Sequence, residues 1–212
     1  MKYFIWILLS LLVFVVDGQS LKSQKINEED IKSNIEKKYS WQDIHDEGAI
    51  NLILYKNHRF KFLINGLSGT KRGVGVWRVK NDIVILNTDM KMNSVPVEVV
   101  RNSDTKGNVD GFNISIPKDI KGNDLFDCMV RVNNDSTTCL PSYGKCDGHY
   151  TFIDSVKVVF GNGMSSQWVS VMGSQRAQIH ITIQTDYPIS SYYVLDNKKY
   201  KIFNDRLVPI DN

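Results

Sequence analysis

Apolar and polar side chains alternate along residues 50–87 with the two-residue period of a β-strand. The alternating apolar positions fall into four runs: Ile50, Leu52 and Leu54, then Phe60, Phe62 and Ile64, then Val74 and Val76, and finally Ile83 and Ile85. Successive side chains of a strand point to opposite faces, so each run predicts one strand with one set of side chains on each face.

The breaks between these runs favour tight connections. Asn57-His58 and Asn81-Asp82 mark two breaks, and a loop over residues 66–73 marks the third. Asn and Asp tolerate the left-handed backbone that tight hairpins use. Strands joined this closely must run antiparallel, so the stretch predicts a four-stranded antiparallel meander.

Trp77 is interpreted as a core residue of this meander. Gly75, two positions earlier, leaves room for a large ring to lie over a backbone. The alternative is a tryptophan that stacks on a ligand.

The same period continues through the rest of the chain. Ile179, Ile181 and Ile183 alternate with polar residues and form the clearest half-buried strand. Further strands are predicted at 95–99, 112–116, 128–132, 156–160, 168–171, 192–195, 200–203 and 207–210. The pattern predicts an all-β protein, with an antiparallel meander, a β-sandwich and one short N-terminal helix.

That helix is expected over residues 28–38. Asn27 can cap it, and acidic residues occupy its first turn, where they meet the positive end of the helix dipole. Ile31, Ile35 and Tyr39 recur at i, i+4 and i+8, which would place them on one narrow apolar stripe.

Residues 1–18 are predicted to be a signal peptide. Lys2 precedes an almost wholly apolar segment over 3–16, and Val16 and Gly18 fit the −3 and −1 positions of a cleavage site. Fourteen residues fall short of the roughly 20 that a spanning helix needs. The expected location is secreted or periplasmic after cleavage near Gly18, and the alternative is an uncleaved membrane anchor.

Composition narrows the class of partner. An apolar content of 42% with 23% charged residues is that of a globular chain rather than a disordered one. The formal net charge is +3, and the basic residues are scattered among acids without a basic stripe. Nucleic acid is therefore not expected as a partner.

A short internal sequence similarity links the meander to the C-terminus. Residues 77–82 and 200–205 share the order aromatic, basic, aliphatic, any residue, Asn, Asp, and each is a strand entering a hairpin. The predicted organisation is a signal peptide over 1–18, a linker and short helix over 19–44, the meander over 45–95, a β-sandwich over 96–185, and C-terminal hairpins over 186–212 that pack with the meander.

Parts of the chain resemble known sequences. The segments 52–55, 60–62, 75–77 and 83–87, with 192–193, 199–202 and 204–207, resemble a family of uncharacterised exported bacterial proteins. Residues 124–183 resemble the carboxypeptidase regulatory-like (transthyretin-like) β-sandwich, whose Asp-Gly turn is matched by Asp147-Gly148-His149-Tyr150. These resemblances imply a β fold, export and no catalytic residues.

Three cysteines leave one unpaired in an exported chain. Cys128 shares a strand face with valines, where it behaves as a small buried apolar group. Cys139 and Cys146 bracket a bend in a polar loop and can meet, so a Cys139–Cys146 disulfide and a buried free thiol at Cys128 are predicted. The alternative is a zinc site that adds His149, although the close cysteine pair of ordinary zinc sites is missing.

Two other motifs suggest chemistry only weakly. Asn102, Asp104, Asn108 and Asp110 resemble a calcium loop, but Lys106 stands where a ligand belongs, so a solvated turn is expected. His149 and His180 lie at or in strands and are interpreted as solvent-facing histidines. Sequence motifs of serine hydrolases, zinc proteases and phosphate-binding loops are absent, so no cofactor is expected.

The leading hypothesis is an exported non-enzymatic β-domain protein, a binding or envelope-associated module with a protein or glycan partner. Loop aromatics such as Tyr143, Tyr150 and Trp168 are possible contacts. One rival is a small periplasmic hydrolase or metal-dependent enzyme that uses His149, His180 and nearby aspartates. Another is a periplasmic inhibitor or immunity-type protein.

Overall fold

The computed structural model describes residues 19–42, 48–67, 69–103, 112–133, 138–140, 152–171 and 177–210. The chain divides into two compact units. Unit 1 comprises Met1–Asp89 and Ser191–Asn212, and unit 2 comprises Met90–Ser190. Strands dominate the described residues of both units, which confirms the all-β prediction.

Within the described ranges the chain forms one short α-helix, one 3₁₀ helix and sixteen strands. In order they are β1 (Leu21–Gln24), α1 (Glu28–Lys32), β2 (Ile35–Gln42), β3 (Gly48–Tyr55), β4 (Arg59–Gly66), β5 (Gly69–Lys80), β6 (Ile83–Thr88), β7 (Val97–Ser103), β8 (Phe112–Ile114), β9 (Lys118–Asp119), β10 (Cys128–Val132), β11 (Thr138–Cys139), β12 (Ser155–Phe160), β13 (Val169–Ser170), β14 (Ala177–Ile183), the 3₁₀ helix (Ile189–Ser191), β15 (Lys198–Phe203) and β16 (Arg206–Ile210).

Unit 1 is built on a closed antiparallel sheet of eight strands. Its order is β1-β16-β15-β6-β5-β4-β3-β2, with β1 also paired to β2. The predicted meander is present as β3 to β6. The C-terminal hairpin joins it because β15 pairs with β6, and the N-terminal strand completes the circle by pairing with β16.

The inside of the closed sheet is filled by side chains. Every strand contributes at least one residue to the buried cluster, which consists of Leu21, Tyr39, Ile50, Leu52, Leu54, Phe60, Phe62, Trp77, Val84, Leu86, Leu195, Tyr200 and Leu207. Trp77 is a core residue, as predicted, with 6% of its surface exposed. Its indole N–H donates to the carbonyl oxygen of Tyr55 at 3.0 Å, so its one polar atom is satisfied.

Asparagine and aspartate form the tight turns. Asn81 and Asp82 have φ of +51° and +59°, the backbone that a two-residue hairpin between β5 and β6 requires. Asn204 has φ of +52° in the turn between β15 and β16. The loop expected over 66–73 is shorter than predicted, because β5 begins at Gly69, which pairs directly with Gly66.

The predicted helix over 28–38 is wrong beyond its first turns. Helix α1 ends at Lys32, and β2 begins at Ile35, so the stretch interpreted as a linker supplies two strands of the closed sheet. Ile31 is 56% exposed, whereas Ile35 and Tyr39 are buried on β2. A spacing of four is an even number, so in the sequence it fits one face of a regular strand as well as one face of a helix. In the structure a β-bulge between Ile35 and Lys37 interrupts the alternation of β2.

A salt bridge joins α1 to β2. Asp30 closes a capping box with Asn27 at the start of α1. The Lys38 ammonium lies 2.8 Å from the same carboxylate. The backbone N–H of Asn27 and the Lys38 ammonium both donate to Asp30, which lowers its pKa.

Unit 2 contains two further sheets. One has the order β11-β10-β12-β13 and is antiparallel throughout. In the other, β14 pairs with β7 antiparallel and with β8 and β9 in parallel. Ile179, Ile181 and Ile183 of β14 are each at most 2% exposed, which confirms the strand predicted there.

Two glycines allow a close backbone approach inside unit 1. A Cβ added at Gly75 would lie 2.0 Å from the carbonyl oxygen of Asn87, and one at Gly73 would lie 2.7 Å from that of Tyr193. Both positions are buried on the inner face of β5. The room at Gly75 is therefore taken by the backbone of β6, not by an aromatic ring as the sequence suggested.

We expect Gly75→Ala to lower the free energy of unfolding by about 3 kcal/mol, because the added methyl group overlaps backbone atoms that cannot move independently. Urea titration followed by circular dichroism measures the change. Gly66→Ala is the control, since nothing lies within 4 Å of its added Cβ. That variant should stay within about 0.5 kcal/mol of wild type. Equal midpoints for the two variants would contradict the packing described for Gly75.

Candidate binding surfaces

The outer face of the closed sheet gathers four cations from two hairpins. Strand pairing sets two parallel rows across β5, β6 and β15, namely Arg78, Ile85 and Lys199, then Lys80, Ile83 and Lys201. Neighbouring strands lie about 4.8 Å apart and alternate residues about 7 Å apart, so the four cations mark a rectangle of about 7 by 10 Å. We call Arg78, Lys80, Lys199 and Lys201 the cationic face.

Burial of their neighbours fixes the direction of these side chains. Trp77, Leu86 and Tyr200 belong to the buried cluster inside the sheet. Residues next to them in a strand must point outward. Accordingly, three of the four cations are exposed and Lys199 is half-buried.

Exposed apolar side chains accompany the cations. Phe203 follows Lys201 on the outer face of β15 and is 60% exposed. Val208 lies opposite Lys201 on β16 and is 39% exposed, and Val76 precedes Arg78 on β5 and is 48% exposed. We call Val76, Phe203 and Val208 the apolar rim.

The cationic face is not neutralised by acids within the part of the chain that the structure describes. Ion pairs there use other cations, such as Lys118 with Asp124 at 2.6 Å and Arg59 with Asp89. No ion pair joins any of the four cations to a described residue. A group of charges of one sign raises the local concentration of ligands of the opposite sign.

The sequence contains no continuous basic stripe, as stated above, but the fold brings basic residues from distant segments together. The two halves of the cationic face lie on β5 and β15, far apart in the chain, and only their shared neighbour β6 brings them together. The one sequence feature that pointed to this face was the similarity between residues 77–82 and 200–205. It marked two similar hairpins, but it did not say that they are neighbours.

Unit 2 contains a second candidate, a depression of about 200 Å³. Its lining includes the buried apolar residues Phe160, Ile183 and Ile189, and its charged residues are Asp119, Lys121, Asp127 and Asp186. An apolar floor with polar groups at its edge is the usual form of a small-ligand site.

Asp119 shapes this depression rather than acting as a free acid. Its carboxylate accepts hydrogen bonds from the backbone N–H groups of Lys121 and Asn123, at 2.9 and 2.8 Å, and from the Asn123 amide at 2.8 Å. The Asn123 side chain is the largest cause of a lowered pKa for Asp119. The carboxylate therefore stabilises the turn that follows β9.

Of the two histidines that the rival enzyme would use, the structure describes His180 but not His149. Ser115 Oγ lies 3.1 Å from Nδ1 of His180, yet it donates to the carbonyl oxygen of Ile179 at 3.0 Å. That hydrogen bond joins the segment after β8 to β14, which is a structural role. Within the described ranges, no group of three His, Cys, Asp or Glu side chains could hold a metal ion.

The structure tests the predicted state of two of the three cysteines, Cys128 and Cys139. Cys128 is a free thiol with 6% of its surface exposed, as predicted. Burial, with a smaller contribution from Asp127, raises its pKa to about 12. Cys139 is fully buried and disulfide-bonded. Because Cys146 lies outside the described residues, its pairing with Cys139 stays a prediction.

Several other predicted contacts and ligands also fall outside the described residues, namely Tyr143, Tyr150, His149, Asp104, Asn108 and Asp110. Trp168 is described and half-buried, and Asn102 is exposed on β7. Neither the calcium-like loop nor the zinc alternative is brought together by the described residues.

Comparison with known proteins finds no matching family, no similar curated protein and no similar solved structure. The resemblances to exported bacterial proteins and to the regulatory-like sandwich therefore stay hypotheses. In the described residues, no helix has both the length and the apolar character needed to cross a membrane.

The free thiol gives a direct test of burial at β10. At pH 8 we expect Cys128 of the native protein to react with iodoacetamide roughly a thousandfold more slowly than in the unfolded chain, because only the thiolate reacts. Mass spectrometry of the unreduced protein, with and without urea, measures the two rates. Cys128→Ala is the control and should remove the urea-dependent label. Similar rates in both conditions would show that the thiol is open to solvent.

The raised pKa of Cys128 also makes the stability of the fold depend on pH. The native state keeps the thiol protonated up to a pKa of about 12, whereas the ordinary value is 9.0. The unfolded chain thus releases a proton first, and stability is retained below pH 9 but lost as pH rises toward 12. Urea titrations from pH 8 to 11 should show a steeper loss for wild type than for Cys128→Ala. If the free energy of unfolding falls equally with pH in wild type and in Cys128→Ala, the raised pKa of Cys128 is contradicted.

Proposed function

We propose that this protein is an exported, non-enzymatic β-domain protein that works as a binding or envelope-associated module, and that its cationic face contacts an anionic partner. The observation that carries the proposal is the register of β5, β6 and β15, which aligns four cations without an acidic partner among the described residues. The predicted signal peptide supports export.

The physical basis is electrostatic. Exposed cations on a rigid sheet hold fixed spacings, so a partner with several negative charges can engage them together without first ordering the protein. Such contacts increase the association rate and weaken with added salt. Because Arg78 and Lys80 lie two strands away from Lys199 and Lys201, one extended anionic surface can meet all four.

We also propose that the two sheets of unit 2 form a β-sandwich. Each sheet has a strand with one strongly buried face. Val130 and Val132 of β10 are fully buried, as are Ile179 and Ile181 of β14 to within 2%. A sheet with one apolar face must cover it, and a second such sheet is a common solution.

The rival functions keep the status of hypotheses. A hydrolase that uses His180 would need a serine hydroxyl free to give its proton to the imidazole, and Ser115 donates to a backbone carbonyl instead. An inhibitor or immunity-type protein would use an apolar docking patch, and the exposed apolar side chains near the cationic face are interleaved with charge.

The test is the salt concentration at which the protein elutes from immobilised heparin, a soluble polyanion used here as a probe. We expect the variant R78Q/K199Q/K201Q to elute at clearly lower salt than wild type. The matched control K32Q/R131Q/K157Q removes the same charge from positions outside the cationic face and should elute close to wild type. Circular dichroism checks that both variants fold.

Two outcomes would contradict the proposal. An equal shift for both variants would mean that net charge, not the cationic face, governs retention. No retention of wild type would mean that the face binds no polyanion.

A further inference from the structure

The structure points to a lipid bilayer surface with anionic headgroups as the partner of the cationic face, and we propose this occupant. The inference rests on the proposed function and narrows it from an anionic partner to a membrane surface. It is carried by the combination of four cations that form no ion pair with any described residue and the apolar rim on the same outer face of the closed sheet.

The apolar rim distinguishes a bilayer from a soluble polyanion. Phe203 is 60% exposed, Val76 is 48% exposed and Val208 is 39% exposed. A sulfated glycan or a nucleic acid backbone in water gives aliphatic side chains no partner. Phe203 and Val208 lie together at the hairpin end of the face, whereas Val76 lies at its other end. At a membrane, Phe203 and Val208 leave water for the boundary between headgroups and acyl chains, which is favourable in proportion to their apolar area.

The arrangement along β15 suits such a boundary. Lys199, Lys201 and Phe203 occupy successive outward positions, and Phe203 lies at the start of the hairpin turn. The phenyl ring can therefore enter the interface first while the lysines stay at the level of the headgroups. Lysine stems are flexible and apolar, so their ammonium groups can reach phosphate while the stems remain against the sheet.

Other occupants fit the face less well. Single-stranded nucleic acid is held by several aromatic side chains on which bases stack. Among the described outward positions of β5, β6, β15 and β16, Phe203 is the one aromatic side chain, and it lies at the edge of the face. A glycan would use planar polar side chains to hydrogen-bond hydroxyl groups. The positions between the cations are instead Ile83 and Ile85.

The experiment is co-sedimentation of the full chain with vesicles of phosphatidylcholine alone or of phosphatidylcholine with phosphatidylglycerol, at physiological ionic strength. The measured quantity is the ratio of the two partition coefficients. Residues 1–18 are common to all variants, so their own affinity for lipid cancels in comparisons between variants.

We expect wild type to favour the anionic vesicles. Each basic residue near an anionic surface strengthens binding roughly fivefold, so R78Q/K199Q/K201Q should lose on the order of a hundredfold of that preference. The control K32Q/R131Q/K157Q should keep it. Phe203→Ala should weaken binding to anionic vesicles roughly tenfold, because it removes most of an exposed apolar ring. It should leave elution from heparin unchanged.

Failure of the inference differs from failure of the proposed function. Retention on heparin without preference for anionic vesicles, or with tighter binding of a single-stranded oligonucleotide, would overturn the membrane assignment and leave a face for a soluble polyanion. Binding to neither heparin nor anionic vesicles would overturn both. A loss caused by Phe203→Ala on heparin as well as on vesicles would show that the ring supports the sheet rather than entering lipid.

Discussion

The pairing of the first strand with the last is the interaction on which unit 1 depends. Leu21 pairs with Leu207, and both side chains lie in the core with at most 1% of their surface exposed. An open sheet would leave the N–H and C=O groups of two edge strands unpaired. Closure satisfies these groups and encloses the apolar faces of all eight strands. Closure also fixes the register of each strand pair, because a register shift in one pair would have to be compensated in the other pairs of the closed sheet.

The surface chemistry follows from the same constraint. Lys199 and Lys201 face outward only because Tyr200 pairs with Val84 on the inside. A shift of one residue between β15 and β6 would turn both lysines into the core and expose Tyr200. Gly75 supports the same register from β5. Because it has no side chain, the backbone of β6 can lie close to β5 at Asn87 and Thr88. Core packing and the position of the cationic face therefore have one cause.

Much of the local structure could be predicted from the sequence, whereas the contacts between distant strands could not. Alternation identified β3 to β6 and β14, and the Asn-Asp pairs identified the hairpins. The helix over 28–38 was overextended because Ile35 and Tyr39 fit either period. Strand pairing between β6 and β15 leaves no mark in periodicity, which locates a strand but does not say which strand lies beside it. The cationic face was missed for that reason, and Cys128 was found because burial follows from its neighbours alone.

The most direct test of the closed sheet is a set of backbone nuclear Overhauser effects from an isotope-labelled sample. We expect cross-strand contacts between residues 21 and 207, between 200 and 84, and between 199 and 85. Contacts of 200 with 83 or 85 in place of 84, or the absence of any contact between 21 and 207 in a folded sample, would contradict it.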